Sequence, residues 1–90
     1  MLQLVTIDLS DADIVMFEAY EAKVLALLAA HGGVLEARVR SLDGRIETHL
    51  LCFPDTEAFD GYCWNPDRIA LLEQWERSGA RAVVTPVERV

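Results

Sequence analysis

Cysteine is scarce. The 90 residues hold only Cys52 and Cys63, without a CxxC spacing, which argues against a disulfide framework or a thiolate metal knuckle. Basic residues are few as well. Eight Lys and Arg stand against 15 Asp and Glu, for a net charge of −7. The nearest approach to a basic patch is the spaced set Arg38, Arg40 and Arg45. A protein that neutralises phosphates needs a concentrated basic face, so neither nucleic acid nor an anionic membrane surface is an expected partner. Long apolar runs are missing too. The longest uncharged stretch, Val24 to Leu35, covers 12 residues and contains His31-Gly32-Gly33, well short of the roughly 20 apolar residues that span a bilayer. No basic stretch precedes an apolar segment at the N-terminus, where Met1-Leu2-Gln3-Leu4-Val5 soon meets Asp8. A secretory leader is therefore not expected and a cytoplasmic location is. A phosphate-cradling loop is also absent, because Gly32-Gly33 follows a helical pattern instead of opening one.

What the chain does have is apolar material, 52% of its residues, enough to offset chain entropy and to exclude disorder. A chain of this length accommodates one small domain, residues 1–90, and a partner subunit is a natural way to extend its core.

Leu2 to Leu9 is rich in aliphatic and β-branched residues and reads as a strand. Ser10, with Asp13 three residues on, resembles a capping box and predicts a helix from about Asp11. Ile14, Phe17, Tyr20, Val24, Leu28 and His31 recur at steps of three and four, which predicts a helix of roughly twenty residues. Gly32-Gly33 ends it.

Val34 to Leu42 alternates Leu35, Ala37 and Val39 with Glu36, Arg38 and Arg40. A turn at Asp43-Gly44 sets Arg40 opposite Glu47, Arg38 opposite His49 and Glu36 opposite Leu51. The polar residues of both strands then share one face, and Leu35, Ala37, Val39, Thr48, Leu50 and Cys52 share the face expected to lie beneath helices. Pro54 ends the second strand, and Asp55 with Thr56 starts a short helix through Ala58, Phe59 and Tyr62. Asn65-Pro66 opens a further helix carrying Ile69, Leu72 and Trp75, which Ser78-Gly79 closes. Ala80 to Val90 is the last strand, with Pro86 favouring an edge.

The order is βαββαβ, the pattern of an α+β, ferredoxin-like antiparallel four-stranded sheet with its helices on one face. The opposite face is left bare. On this reading it carries Leu4, Thr6, Glu36, Arg38, His49 and Leu51, and something should cover it.

Several short motifs in their order resemble a family: Phe17, Tyr20 and Val24 before His31-Gly32-Gly33, then Phe53-Pro54-Asp55, then Ala58-Phe59 and Tyr62 before Asn65-Pro66. The chain resembles, over nearly its whole length, small proteins of unknown function in the dimeric α/β-barrel superfamily, relatives of the antibiotic-biosynthesis-type monooxygenases. The resemblance implies a homodimer in which two sheets face each other, and a small organic ligand. It also implies cofactor-independent oxygenation or isomerisation if the protein is an enzyme. Two positions depart from the pattern: Cys52 stands where Glu is usual before Phe-Pro, and Arg68 stands where an aromatic is common after the later proline.

His49 is the leading candidate for chemistry. With cationic Arg38 opposite, a neutral imidazole could serve as general base or ligand partner, with Arg38 stabilising developing negative charge. Glu36, Arg38, His49, Leu51 and Tyr20 form the expected ligand-binding set. The plain alternative makes the polar face an interface: a non-enzymatic dimerisation module in which His49 and its neighbours set partner specificity. Arg40 with Glu47 reads as an exposed cross-strand pair, His31 as a helix-terminal residue, and Trp64 and Trp75 as packing anchors. Two histidines 18 residues apart, without an acidic residue at ligand spacing, argue against a dedicated metal site, and no cofactor is expected.

Overall fold

The computed structural model describes residues 1–90. Its elements are strand β1 (Leu2–Asp8), helix α1 (Ile14–Leu25), a 3-10 turn (Leu28–His31), strands β2 (Val34–Arg40) and β3 (Ile46–Cys52), helices α2 (Thr56–Cys63), α3 (Pro66–Ile69) and α4 (Leu72–Ser78), and strand β4 (Arg81–Val87). The sheet order is β2-β3-β1-β4, with antiparallel pairing throughout. This is the ferredoxin-like α+β topology. Pro86 lies in β4 at an edge of the sheet, where its missing amide hydrogen costs little.

Chain chemistry sets the boundaries. Asp13, not Ser10, caps α1: its carboxylate accepts the Met16 amide at 3.1 Å, while the Ser10 amide turns back to Asp8 at 2.9 Å. The expected twenty-residue helix is therefore 12 residues long and closes through the 3-10 turn to Gly32, whose φ of 67° caps it. Asp55 accepts the Ala58 amide at 2.8 Å and Asn65 accepts the Asp67 amide at 2.8 Å, so both expected caps form. The expected final helix divides at Ala70 into α3 and α4. Gly79 ends α4 with a φ of 77°, and a Cβ there would lie 2.7 Å from the Asp11 carbonyl oxygen. Glycine thus answers two demands at that corner, a left-handed backbone and a close approach.

The hairpin keeps the register counted from the sequence near its tip, with Arg40 opposite Glu47 and Arg38 opposite His49. Its turn forms one residue earlier than Asp43-Gly44: the Gly44 amide donates to the Ser41 carbonyl at 2.9 Å. Further down, a bulge places Leu35, not Glu36, opposite Leu51 and leaves Ala37 opposite Leu50.

The two faces of the β2–β3 hairpin exchange roles relative to the sequence reading, while Leu4 and Thr6 of β1 lie on the bare side as expected. Gln3, Ile7, Glu47, His49 and Leu51 are buried, on the side where Phe17, Tyr20, Val24, Tyr62 and Trp75 pack. Leu4, Thr6, Val39, Thr48, Leu50 and Val83 share the bare side, and Val39 and Val83 there are 61% and 66% exposed. The polar face thus lies beneath the helices and the apolar face lies open. Alternation reveals which residues share a face, and it is silent on which face the helices take.

Candidate functional site

The buried polar centre starts from the β2–β3 pairing. Glu47 sits mid-sheet with 1% exposure, and three arginine N–H groups hold it there. Arg40 reaches Oε1 through Nε at 2.9 Å and Nη2 at 2.6 Å, and Arg38 Nε reaches Oε2 at 3.2 Å. A carboxylate this buried is stable only when its oxygens are hydrogen-bonded. The pair expected to be exposed at the hairpin is thus an anchored internal one. Burial alone would raise Glu47, but the hydrogen bonds of Arg40 and His49 and the charge of Arg38 outweigh it, so its carboxyl is held below the ordinary range.

His49 Nε2 lies 2.6 Å from Glu47 Oε2. Because that carboxylate is ionised, Nε2 carries the hydrogen and donates it, which fixes the tautomer and leaves Nδ1 as the acceptor. Burial pulls the imidazole below its ordinary value, with the Glu47 contact opposing and Arg38 and Arg40 assisting. His49 is accordingly neutral at pH 7.

Glu21 completes the centre. It projects from α1 with 3% exposure, and its Oε2 stands 3.8 Å from His49 Nε2 without any hydrogen-bond partner. Burial pushes its pKa up to about 7, the nearby Glu47 charge adds to this, and Arg38 and Arg40 act against it. Near neutrality its proton is therefore available for exchange. Sequence reasoning missed this residue, although the signal existed: Glu21 falls four residues after Phe17 and three before Val24, on the apolar stripe itself.

Glu21, Glu47 and His49 bring their ligand atoms within 4.8 Å of one another. A metal ion there would stand against Arg38 and Arg40, already bonded to Glu47, and that repulsion suits the cluster to proton chemistry better than to a cation.

His49 and Glu21 form part of the wall of a cavity of about 190 Å³ between the sheet and the helices. Tyr20, Leu51, Tyr62 and Trp75 supply much of its lining, and Arg68 and Cys63 contribute polar atoms. The aromatic wall is braced by Trp75 against Tyr20, with ring centroids 5.1 Å apart. Burial pushes the Tyr20 hydroxyl up to about 12, so it stays protonated, and it likewise raises the Cys63 thiol. The expected set is thus divided: Tyr20, His49 and Leu51 line the cavity, and Arg38 stands behind it on Glu47. Glu36, exposed in the bulge, pairs with Arg89 away from the cavity. His31 is bonded to Asn65 at 2.9 Å, Trp75 packs as expected, and Trp64 is 75% exposed and anchors nothing.

No protein-family model matches the chain, and no curated protein sequence does. Solved structures do. SnoaB, a cofactor-independent oxygenase from Streptomyces nogalater, superposes with a TM-score of 0.76 at 16% identity, over 99% of this chain and 94% of that one. A Caulobacter crescentus protein provisionally assigned as an antibiotic biosynthesis monooxygenase gives 0.76 at 15% identity, over 99% and 89%. A dimeric ferredoxin-like protein of unknown function from Jannaschia gives 0.69 at 16%, over 97% and 100%. The chain therefore has the ferredoxin-like fold that a cofactor-independent oxygenase and a dimeric protein of unknown function also have.

Proposed function

We propose that the cavity binds a ring-sized, largely apolar organic molecule and that His49 and Glu21 move a proton on it. The observation that carries this reading is the placement of two proton-exchanging side chains, one unpartnered, on the wall of an otherwise apolar cavity. Its volume of about 190 Å³ exceeds the ~150 Å³ of a cavity known to hold benzene, so a substituted ring fits.

In this mechanism neutral His49 accepts a proton at Nδ1 from an acidic O–H or C–H of the ligand, and Glu47 stabilises the imidazolium through Nε2. Arg38 and Arg40 act through Glu47 as positioning residues. The ligand anion then has two outlets. Return of the proton at another carbon, from the Glu21 acid, gives an isomer with no change of oxidation state. Transfer of two electrons to O2 gives a ligand hydroperoxide. Loss of its C–H proton with O–O cleavage, the departing oxygen protonated by the Glu21 acid, supplies two more: a CH2 becomes C=O, one oxygen atom entering the ligand and the other leaving as water. The similarity in fold to SnoaB, itself a cofactor-independent oxygenase, favours the second outlet.

The test begins with thermal shifts against phenols, quinones, lactones and hydroxy acids. For any compound that binds, dissolved O2 and deuterium incorporation from D2O are then followed. Native protein should turn the ligand over by one outlet, and His49→Ala and Glu21→Gln should each lower the rate roughly 10²- to 10⁴-fold while retaining the ligand. Unchanged rates in both variants would refute the assignment.

We infer in addition that two copies pair through the bare sheet face. A contiguous apolar surface left open on a folded protein marks an interaction site, and a protein of the same fold is dimeric. That interface would not contain His49, which differs from the sequence-based alternative of a purely polar dimer contact.

A further inference from the structure

Two buried polar atoms in the chain have no hydrogen-bond partner, Glu21 Oε2 and Arg68 Nε, and their residues both line the same cavity. Natural interiors leave few such atoms unsatisfied, and each calls for a cause. Arg68 is held from behind: Nη1 donates to the Cys63 carbonyl at 3.3 Å, and the guanidinium stacks 5.1 Å from the centroid of the Tyr62 ring. Nε belongs to the opposite, side-on edge of the guanidinium, the edge that matches the two oxygens of a carboxylate. No acidic side chain forms an ion pair with Arg68, whereas Arg38, Arg40, Arg77 and Arg89 are paired; Arg45 and Arg81, also without an ion pair, lie away from this cavity. It is the only arginine or lysine lining the cavity. In a chain of net charge −7, an unpaired guanidinium fixed at an apolar wall is a selective feature.

We propose that Arg68 anchors a carboxylate, so that the cavity selects a ring-sized monocarboxylic acid whose reactive O–H or C–H is turned to His49 and Glu21. This rests on the reading of the cavity as a ligand site and adds the class of ligand. A carboxylate satisfies Nε, and a ligand hydroxyl or acidic hydrogen at the other wall satisfies Glu21 Oε2. One molecule thereby accounts for both orphaned atoms.

Matched probes separate the two readings. Salicylate and salicylamide share ring and hydroxyl and differ in the charge of one group, and benzoate and benzamide form the control pair. Calorimetric titration of the native protein should show each acid binding at least 10-fold more tightly than its amide, the factor expected of a charge-assisted hydrogen bond. Arg68→Gln should abolish that ratio by weakening the acid and leaving the amide unchanged, and Arg68→Lys should restore part of it. Circular dichroism of both variants establishes that they fold. If Arg68→Gln does not fold, the pair comparison in native protein and Arg68→Lys still decides. Equal binding of acid and amide by native protein, or an undiminished ratio in Arg68→Gln, would overturn the carboxylate assignment and leave the cavity reading standing. Failure of all four probes to bind would overturn both.

Discussion

Glu21 carries an energetic cost that its neighbours do not relieve. It is buried, and one of its oxygens lacks a partner. Its folded value of about 7 lies above the ordinary 4.5, so folding favours the protonated acid. The favourable effect is full below about pH 4.5 and is lost as the pH rises through about 7. Glu21→Gln removes the charge and keeps the shape. The variant should therefore be more stable than native protein at pH 8, by up to roughly 3 kcal/mol at 1.36 kcal/mol per unit, and the difference should shrink towards pH 5. Urea unfolding at the two pH values measures it. A difference independent of pH would show that ionisation of Glu21 is not strained. His49 responds in the opposite direction: its value is lowered, so it destabilises the fold as the pH falls below the ordinary value of 6.5. At this scale the sequence was partly legible. Counting outward from Asp43-Gly44 set Arg38 against His49. Glu21 was hidden because a lone acid inside an apolar stripe resembles a solvated neighbour until the packing of α1 on the sheet is known.

The elements were readable wherever local chemistry decides them. Asp55, Asn65-Pro66, Gly32 and Gly79 each cap the helix end that the sequence assigns to them. Errors arose where tertiary packing overrides local preference, as at the break after Ile69 and the bulge near Glu36. The sheet is the main case. β3 alternates Ile46, Thr48 and Leu50 with Glu47, His49 and Leu51, and each face carries enough apolar surface to be covered. The helices cover the polar set because Arg38 and Arg40, on the adjoining edge strand, can satisfy Glu47 there. On the proposed pairing, the apolar set meets the sheet of a second copy. Lysines at Val39 and Leu50 should therefore leave the fold intact and lower the solution mass from twice the chain's 10.1 kDa to that of one chain. Light scattering at micromolar concentration reads the result. A native protein already at the mass of one chain would refute pairing through this face.

The whole molecule has two distinct sheet surfaces that the sequence alone merges. The inner side of the sheet, roofed by α1, α2 and α4, holds a small cavity with a proton-exchanging pair and an unpaired guanidinium. The outer side is apolar, open and free of titratable groups at its centre around Thr6, Thr48 and Leu50. Chemistry on this fold would then be internal to each chain, and association would extend the core without supplying the reactive groups. Methyl-resolved NMR during titration with salicylate tests that division most directly. The account predicts shifts at Val5, Leu51 and Val84, which line the cavity, with Val39, Leu50 and Val83 on the outer face unmoved. Shifts confined to the outer face would contradict it, and would place the ligand away from His49, Glu21 and Arg68.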